Sequence, residues 1–165
     1  MARIIIALGS NLADPPAAVT KGWDRVVDVL DLRQPRISRI HISTAAEQSV
    51  GPDFANAVGL GETSLGPRQA LACLHRIETG FGRDRVREGK HGDRPLDLDL
   101  IDYDGKRMDE PKLMLPHPAL ARRDFVLVPL LEIAPEFIDA RSGQSARQLV
   151  EDLADHHLVS THEPG

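Results

Sequence analysis

Apolar and polar positions along this chain follow two rhythms, one of period two and one near 3.6, and these succeed one another in a definite order. Arg3 to Leu8 is a short isoleucine-rich run closed by Gly9-Ser10-Asn11, which predicts a buried strand ending in a tight turn. Asp14-Pro15-Pro16 follows. Aspartate before proline starts a helix well: its carboxylate accepts from first-turn amides that have no partner, and proline has no amide to satisfy. Val19, Trp23, Val26, Val27 and Leu30 then recur at helical spacing, so the helix should run to about Leu30. Arg36 to Ser43 and Phe54 to Gly61 read as strands. Pro67 to Thr79 carries Ala70, Leu71, Leu74 and Ile77 on one stripe and predicts a helix stopping at Gly80. Pro95 to Tyr103 alternates as a strand, with Asp104-Gly105 as a hairpin-turn signal. Phe125 to Ile133 is apolar and predicts a short strand or helix. Ala146 to Leu153 predicts a last helix, and the polar tail over 155–165 is expected to fray.

The order strand, helix, strand, strand, helix, strand predicts an α+β protein. It is that of a ferredoxin-like βαββαβ core, an antiparallel sheet with both helices packed on one face.

Length and composition narrow the function. At 165 residues, 41% hydrophobic and 27% charged, the chain is expected to form a single domain over 1–165 with a real core. No apolar run approaches the roughly 20 residues of a membrane-spanning helix, and the first apolar run is too short for a secretory signal. One cysteine, Cys73, excludes an internal disulfide framework and a cysteine zinc cluster. A cytoplasmic location is the expectation. A net charge of −5 argues against general nucleic-acid binding. The charge is uneven, however. Between residues 83 and 94, Arg83, Arg85, Arg87, Lys90 and Arg94 outnumber Asp84, Glu88 and Asp93, and Asp97, Asp99, Asp102 and Asp104 follow at once. A basic segment running into an acidic one suits a polyanion handled together with a divalent cation.

Within Arg94-Pro95-Leu96-Asp97-Leu98-Asp99-Leu100, strand alternation turns the leucines one way and Asp97 and Asp99 the other. Two carboxylates roughly 6.5–7 Å apart can bracket a pair of hard cations. Magnesium fits best, because it takes oxygen ligands from one or two carboxylates and shares substrate phosphates. An acidic solvated strand face is the plain alternative. Arginine forks bind phosphate bidentately, so the charged stretch from Arg83 to Arg94 is either a phosphate loop or a solvated one. Phe54 shares a strand face with Asn56, and Phe125 lies two residues after Arg123. They are either ordinary core or two stacking faces and a hydrogen-bonding edge for a flat heteroaromatic ring. His117, between Pro116 and Pro118, is a phosphate contact or a turn residue. No Gly-x-x-x-x-Gly-Lys-Ser/Thr loop is present, and Gly9-Ser10-Asn11 reads first as a turn.

Several blocks together carry a resemblance. They are Ile6-Ala7-Leu8-Gly9-Ser10-Asn11-Leu12, Phe54-Ala55-Asn56-Ala57-Val58, Arg76-Ile77-Glu78, Gly82-Arg83-Asp84-Arg85, Arg94-Pro95-Leu96-Asp97-Leu98-Asp99, and Pro116-His117-Pro118 through Arg123-Asp124-Phe125 to Pro129-Leu130. In this order the chain, over about residues 3 to 153, resembles the 6-hydroxymethyl-7,8-dihydropterin pyrophosphokinases of folate synthesis. The resemblance implies transfer of diphosphate from ATP to the pterin hydroxymethyl group, with AMP released. It implies two magnesium ions on Asp97 and Asp99, and a pterin ring between Phe54 and Phe125 with Asn56 at its edge. It places Arg83 and Arg94 on the transferred phosphates, and Glu78, Arg85, His117 and Arg123 in the nucleotide site. ATP and a pterin are the expected partners of a monomer, with neither nucleic acid nor membrane. Two stretches depart from the family pattern. His91-Gly92-Asp93-Arg94 stands where Trp-Gly-Pro-Arg is common, and residues 43–50 lack a Thr-Pro-x-x-Gly segment. Two alternatives follow: the same reaction on a modified pterin, or a relative that binds nucleotide without turnover.

Overall fold

The computed structural model describes residues 1–11, 14–44, 51–82 and 95–162. β1 (Ala2–Ser10) is followed by α1 (Pro15–Val29), β2 (Arg33–Ile37), β3 (His41–Ser43), β4 (Phe54–Thr63), α2 (Pro67–Gly80) and β5 (Asp97–Tyr103). Then come β6 (Met108–Glu110), β7 (Leu113–Leu115), α3 (Asp124–Ile133), α4 (Ala146–Glu151) and β8 (Leu158–Thr161). The fold is mixed, with helices on a mainly antiparallel sheet. The sheet order is β5-β1-β4-β3-β8, with β2 also on β4.

Local chemistry accounts for the helix starts. Asp14 caps α1, its carboxylate accepting the Ala17 amide at 3.3 Å, with proline in the first turn. Ser145 caps α4 by accepting from the Gln148 amide at 3.1 Å. Both sheet faces are covered. Ile4, Ile6, Leu8, Leu96, Leu98 and Leu100 meet α1 and α2. Ile5, Ala7, Val58 and Ile101 meet Leu127 and Leu130 of α3 and Leu149 of α4. The two expected helices do share one face. Phe125–Ile133 is helical and lies on the other face, because a sheet apolar on both sides needs a second layer to exclude water.

Three expectations change. The strand expected over Arg36–Ser43 is two strands, β2 and β3, broken at Ser38, whose amide donates to the Val58 carbonyl and whose hydroxyl accepts from the Val58 amide, both at 2.9 Å. Asp104 and Gly105 do adopt positive φ, 55° and 69°, but the hairpin itself forms farther on, between β6 and β7. The polar tail does not fray as a whole. β8 pairs with β3, and the buried Asp124 carboxylate accepts the His157 and Leu158 amides at 2.8 and 2.9 Å. Backbone pairing onto an open strand edge holds this segment without an apolar side-chain pattern.

Close approach of α1 to the sheet depends on Gly59. A Cβ there would stand 2.4 Å from Cζ3 and Cη2 of Trp23, a ring only 8% exposed. Gly59→Ala is expected to destabilise the fold by about 1–3 kcal/mol through overpacking, as measured by urea unfolding. An unchanged midpoint would show that the ring can move aside.

Candidate active site

The site is built on one row of residues running across the sheet. Gly9 of β1 pairs with Asp97 on one side and Asn56 on the other, Asn56 pairs with His41, and His41 with Thr161. Directly opposed residues in antiparallel strands share a face. Asp97, Gly9, Asn56 and His41 therefore face the α3 side together. One step along, Ala7 pairs with Asp99 and with Val58. Glycine at position 9 leaves the floor between Asp97 and Asn56 low. A Cβ would lie 3.6 Å from Asn56 Oδ1 and 3.8 Å from Phe54 Cδ1.

Asn56 is buried and its orientation is determined. Nδ2 donates to the His41 carbonyl at 3.1 Å and to Ser43 Oγ at 2.8 Å. The carbonyl can only accept, so the oxygen Oδ1 is the end turned to Gly9. His41 is held in turn by Glu132 of α3, with Nε2 2.5 Å from Oε2. Burial opposes charge on Glu132, but the Arg39 amide and the His41 and Arg39 side chains outweigh it and keep the carboxyl below its usual range.

Asp99 sits between an arginine and a histidine. Arg123 Nη1 lies 3.6 Å from Oδ2, and His117 Nε2 lies 3.9 Å from Oδ1. Arg123 directly precedes α3, and its guanidinium stands 5.6 Å from the Phe125 ring centroid. The His117 ring is oriented by the Ala119 amide, which donates to Nδ1 at 3.1 Å. The neutral ring therefore carries its proton on Nε2, facing Asp99. A groove of about 280 Å³ opens beside this cluster, with Asp99, His117, Leu71, His75, Lys112 and Met114 in its wall. Beneath β5, Glu78 of α2 is fully buried and accepts the Leu98 amide through Oε2 at 2.9 Å. It anchors the strand between the two aspartates.

The donor set at β5 is made of carboxylate oxygens on two half-buried side chains of one face. Carboxylate oxygens are hard donors, which suit a hard cation over zinc. Among the described residues no three His, Cys, Asp or Glu side chains gather as a metal cage. A cation here would take its remaining ligands from substrate and water, as magnesium does.

Comparison with known proteins identifies the family. Residues 5–135 match the family model for 7,8-dihydro-6-hydroxymethylpterin-pyrophosphokinase. A Haemophilus influenzae protein named 2-amino-4-hydroxy-6-hydroxymethyldihydropteridine pyrophosphokinase is 35% identical over 159 residues, covering 96% of this chain and 98% of its own. A Synechocystis relative of the same name is 45% identical over 102 residues, 62% of this chain and 51% of its own length. Among solved structures, Plasmodium falciparum HPPK-DHPS with SDX-DHP superposes with a TM-score of 0.68 at 12% identity, covering 92% of this chain and 43% of that one. That likeness speaks for the fold. The chain belongs to the 7,8-dihydro-6-hydroxymethylpterin-pyrophosphokinase family.

It is thus an enzyme of the pyrophosphokinase class, on the route to folate. Of the residues the sequence singled out for this family, Phe54, Asn56, Asp97, Asp99, His117, Arg123 and Phe125 lie around the α3 side of the sheet. Glu78 lies under β5 with no exposed surface. Arg83, Arg85 and Arg94 fall outside the described residues, as do residues 45–50 and 91–93. Sequence reasoning missed His75, Lys112 and Met114 in the groove. It also missed His157, whose ring meets Phe125 edge-on at 6.1 Å. Lys112 stands next to Pro111 in a turn, a weak signal, and His157 had none. No helix among the described residues is long and apolar enough to cross a membrane.

The acidic run after residue 96 divides. Ile101 is an extra residue in β5, between the pairs Ile6–Leu100 and Ile5–Asp102. This bulge pairs Asp102 with Ile5 and so turns it to the α3 side, where it is buried. Its Oδ2 accepts the Gly105 amide at 3.1 Å, and its Oδ1 is buried without a hydrogen bond. Burial pushes the Asp102 carboxyl above 3.8, against the pull of the Gly105 amide and Arg3. A raised folded-state pKa means the native state holds its proton longer than the unfolded chain, so stability falls as pH climbs from about 4 through that pKa. The stability of Asp102→Asn relative to wild type should therefore rise between about pH 4 and pH 7. Paired thermal melts at the two pH values test this, and an equal difference at both would count against it.

Proposed function

We propose that the chain transfers diphosphate from ATP to 6-hydroxymethyl-7,8-dihydropterin, and that the row Asp97–Gly9–Asn56 is where the two substrates meet. The single observation that carries this reading is the placement of Asp97 and Asp99. They stand between a groove with His117 and Lys112 on one side and the Asn56–Phe54 face on the other. In this reading the ATP phosphates run from the groove across Asp99 to Asp97, and the flat acceptor lies between Phe54 and Phe125. Asn56, with Oδ1 presented, accepts from a ring N–H or amino group.

Asp97 and Asp99 would hold two magnesium ions, which when bound neutralise phosphate charge and align the triphosphate. The acceptor hydroxyl oxygen forms a bond to the β-phosphorus, the bond from that phosphorus to the α-bridging oxygen breaks, AMP leaves, and the hydroxyl proton is released. Such transfers depend on positioning and charge neutralisation rather than on a strong base. Arg123 supplies positive charge at Asp99, and His117 offers its Nε2 proton to a phosphate oxygen. Arg83, Arg85 and Arg94 bear on the phosphates in the same reading. Glu78 acts through β5, as the acceptor of the Leu98 amide. The strand order with α1 and α2 on one face supports a ferredoxin-like core. We take the chain as one domain, on the support of two cores sharing one sheet, and as a cytoplasmic monomer.

Incubation with ATP, magnesium and 6-hydroxymethyl-7,8-dihydropterin should yield AMP and the pterin diphosphate. ADP as product would exclude diphosphate transfer. Asp97→Ala and Asp99→Ala should each cut kcat by about a hundredfold or more with little change in Tm, since both side chains are partly exposed. Near-normal turnover in either variant would remove that aspartate from the metal site.

A further inference from the structure

Arg141 lies in the loop between α3 and α4, far in sequence from the site. Its guanidinium nonetheless gathers one wall of the groove. Nε donates to the Pro116 carbonyl at 3.1 Å, and Nη2 to the Leu115 and Met108 carbonyls at 3.0 and 3.1 Å. Nη1 donates to Asp109 Oδ1 at 2.6 Å. The Arg141 hydrogen bond, more than any other influence, keeps the Asp109 carboxyl below its usual range. The loop behind the guanidinium is itself braced. Asp139 is buried and accepts the Arg141 amide at 3.1 Å and the Ser142 hydroxyl at 2.9 Å.

The segments so tied are β6, β7 and the exit of β7, and these carry the groove. Lys112 and Met114 lie between or on the two strands, and His117 follows Pro116 directly. The β6–β7 hairpin is a separate two-stranded sheet, with no backbone ladder to the main sheet among the described residues. The opposite wall, with Asp99 and Leu71, belongs to the main sheet and α2. One backbone bond joins the exit of β7 to β5, the His117 amide donating to the Ile101 carbonyl at 2.9 Å, so the distance between the walls depends on this bond and on what secures the hairpin beside it. Arg141 is not part of the groove lining.

We propose that Arg141 is a positioning residue for this groove. It holds the wall bearing Lys112 and His117 at the spacing that admits the nucleotide, and so sets nucleotide affinity without touching the ligand. The proposal rests on the reading of the groove as the nucleotide site. A planar fork reaching four acceptors is a task only arginine performs; lysine keeps the charge and the stem but has three donors on a single atom.

The test compares wild type with Arg141→Lys. Binding of α,β-methylene-ATP with magnesium is measured by calorimetry, and KM is measured separately for ATP and for 6-hydroxymethyl-7,8-dihydropterin. The variant should bind the analogue about tenfold or more weakly, with a matching rise in the KM for ATP. Its KM for the pterin should stay within about twofold. Analogue affinity within about twofold of wild type would overturn the proposal. So would an equal loss for both substrates, or failure of Arg141→Lys to fold, since either would make Arg141 a general stabiliser. Wild type that binds no analogue would defeat the groove reading and the proposal together. Wild type that binds it, beside a variant that binds equally well, would defeat the proposal alone.

Discussion

The register of β1 between β4 and β5 is the constraint on which the site depends. Gly9 is opposed by Asn56 on one side and Asp97 on the other. A shift of one residue in the β1–β5 pairing would turn the aspartates toward α1 and α2 and the leucines toward the site, and one in the β1–β4 pairing would turn Asn56 away, because side chains alternate with period two. That slip is costly here, since Ile4, Ile6 and Leu8 are buried against one helical layer and Ile5 and Ala7 against the other. A strand apolar on both faces cannot trade them without exposing isoleucine or burying carboxylate. Core packing thus places Asp97, Asp99 and Asn56 on one face of the sheet.

On that frame the charges are set by neighbours. Glu78, buried beneath β5, accepts the Leu98 amide and steadies the strand from behind. Arg123, at the start of α3, stands by both Asp99 and the Phe125 ring. One side chain therefore links the anionic part of the site to its aromatic part. His117 faces Asp99 with a tautomer chosen by the Ala119 amide. A site so composed carries cations that a polyphosphate can share and carboxylates that a hard metal ion can share. Charge of either sign is therefore available before a substrate arrives.

Most of the first seven elements were legible because their signals are local. Asp14-Pro15 starts α1, and the stripe from Ala70 to Ile77 marks α2. Alternating Leu96, Leu98 and Leu100 mark β5 and send Asp97 and Asp99 to one face. The break at Ser38 was not legible, because it depends on exchanged hydrogen bonds with Val58, 20 residues away. Nor was β8: Leu158 and Val159 are its only apolar residues, too few to mark a strand, and it is held by backbone pairing to β3 and by the Asp124 carboxylate. The bulge at Ile101 likewise leaves no trace in an apolar–polar pattern, yet it pairs Asp102 with Ile5 and so buries it on the α3 side, farther along β5 than the two aspartates of the site.

By itself the sequence determined the element types through the first helix pair, the shared face of Asp97 and Asp99, and the family through its blocks of residues. These follow from spacing along the chain, which backbone geometry converts directly into side-chain direction. Only the tertiary structure decided that Glu78 works from beneath β5, that Asn56 presents its oxygen, that the tail closes the sheet, and that Arg141 grips the wall holding His117. Each of these depends on a hydrogen bond between residues whose separation in sequence says nothing of their distance in space.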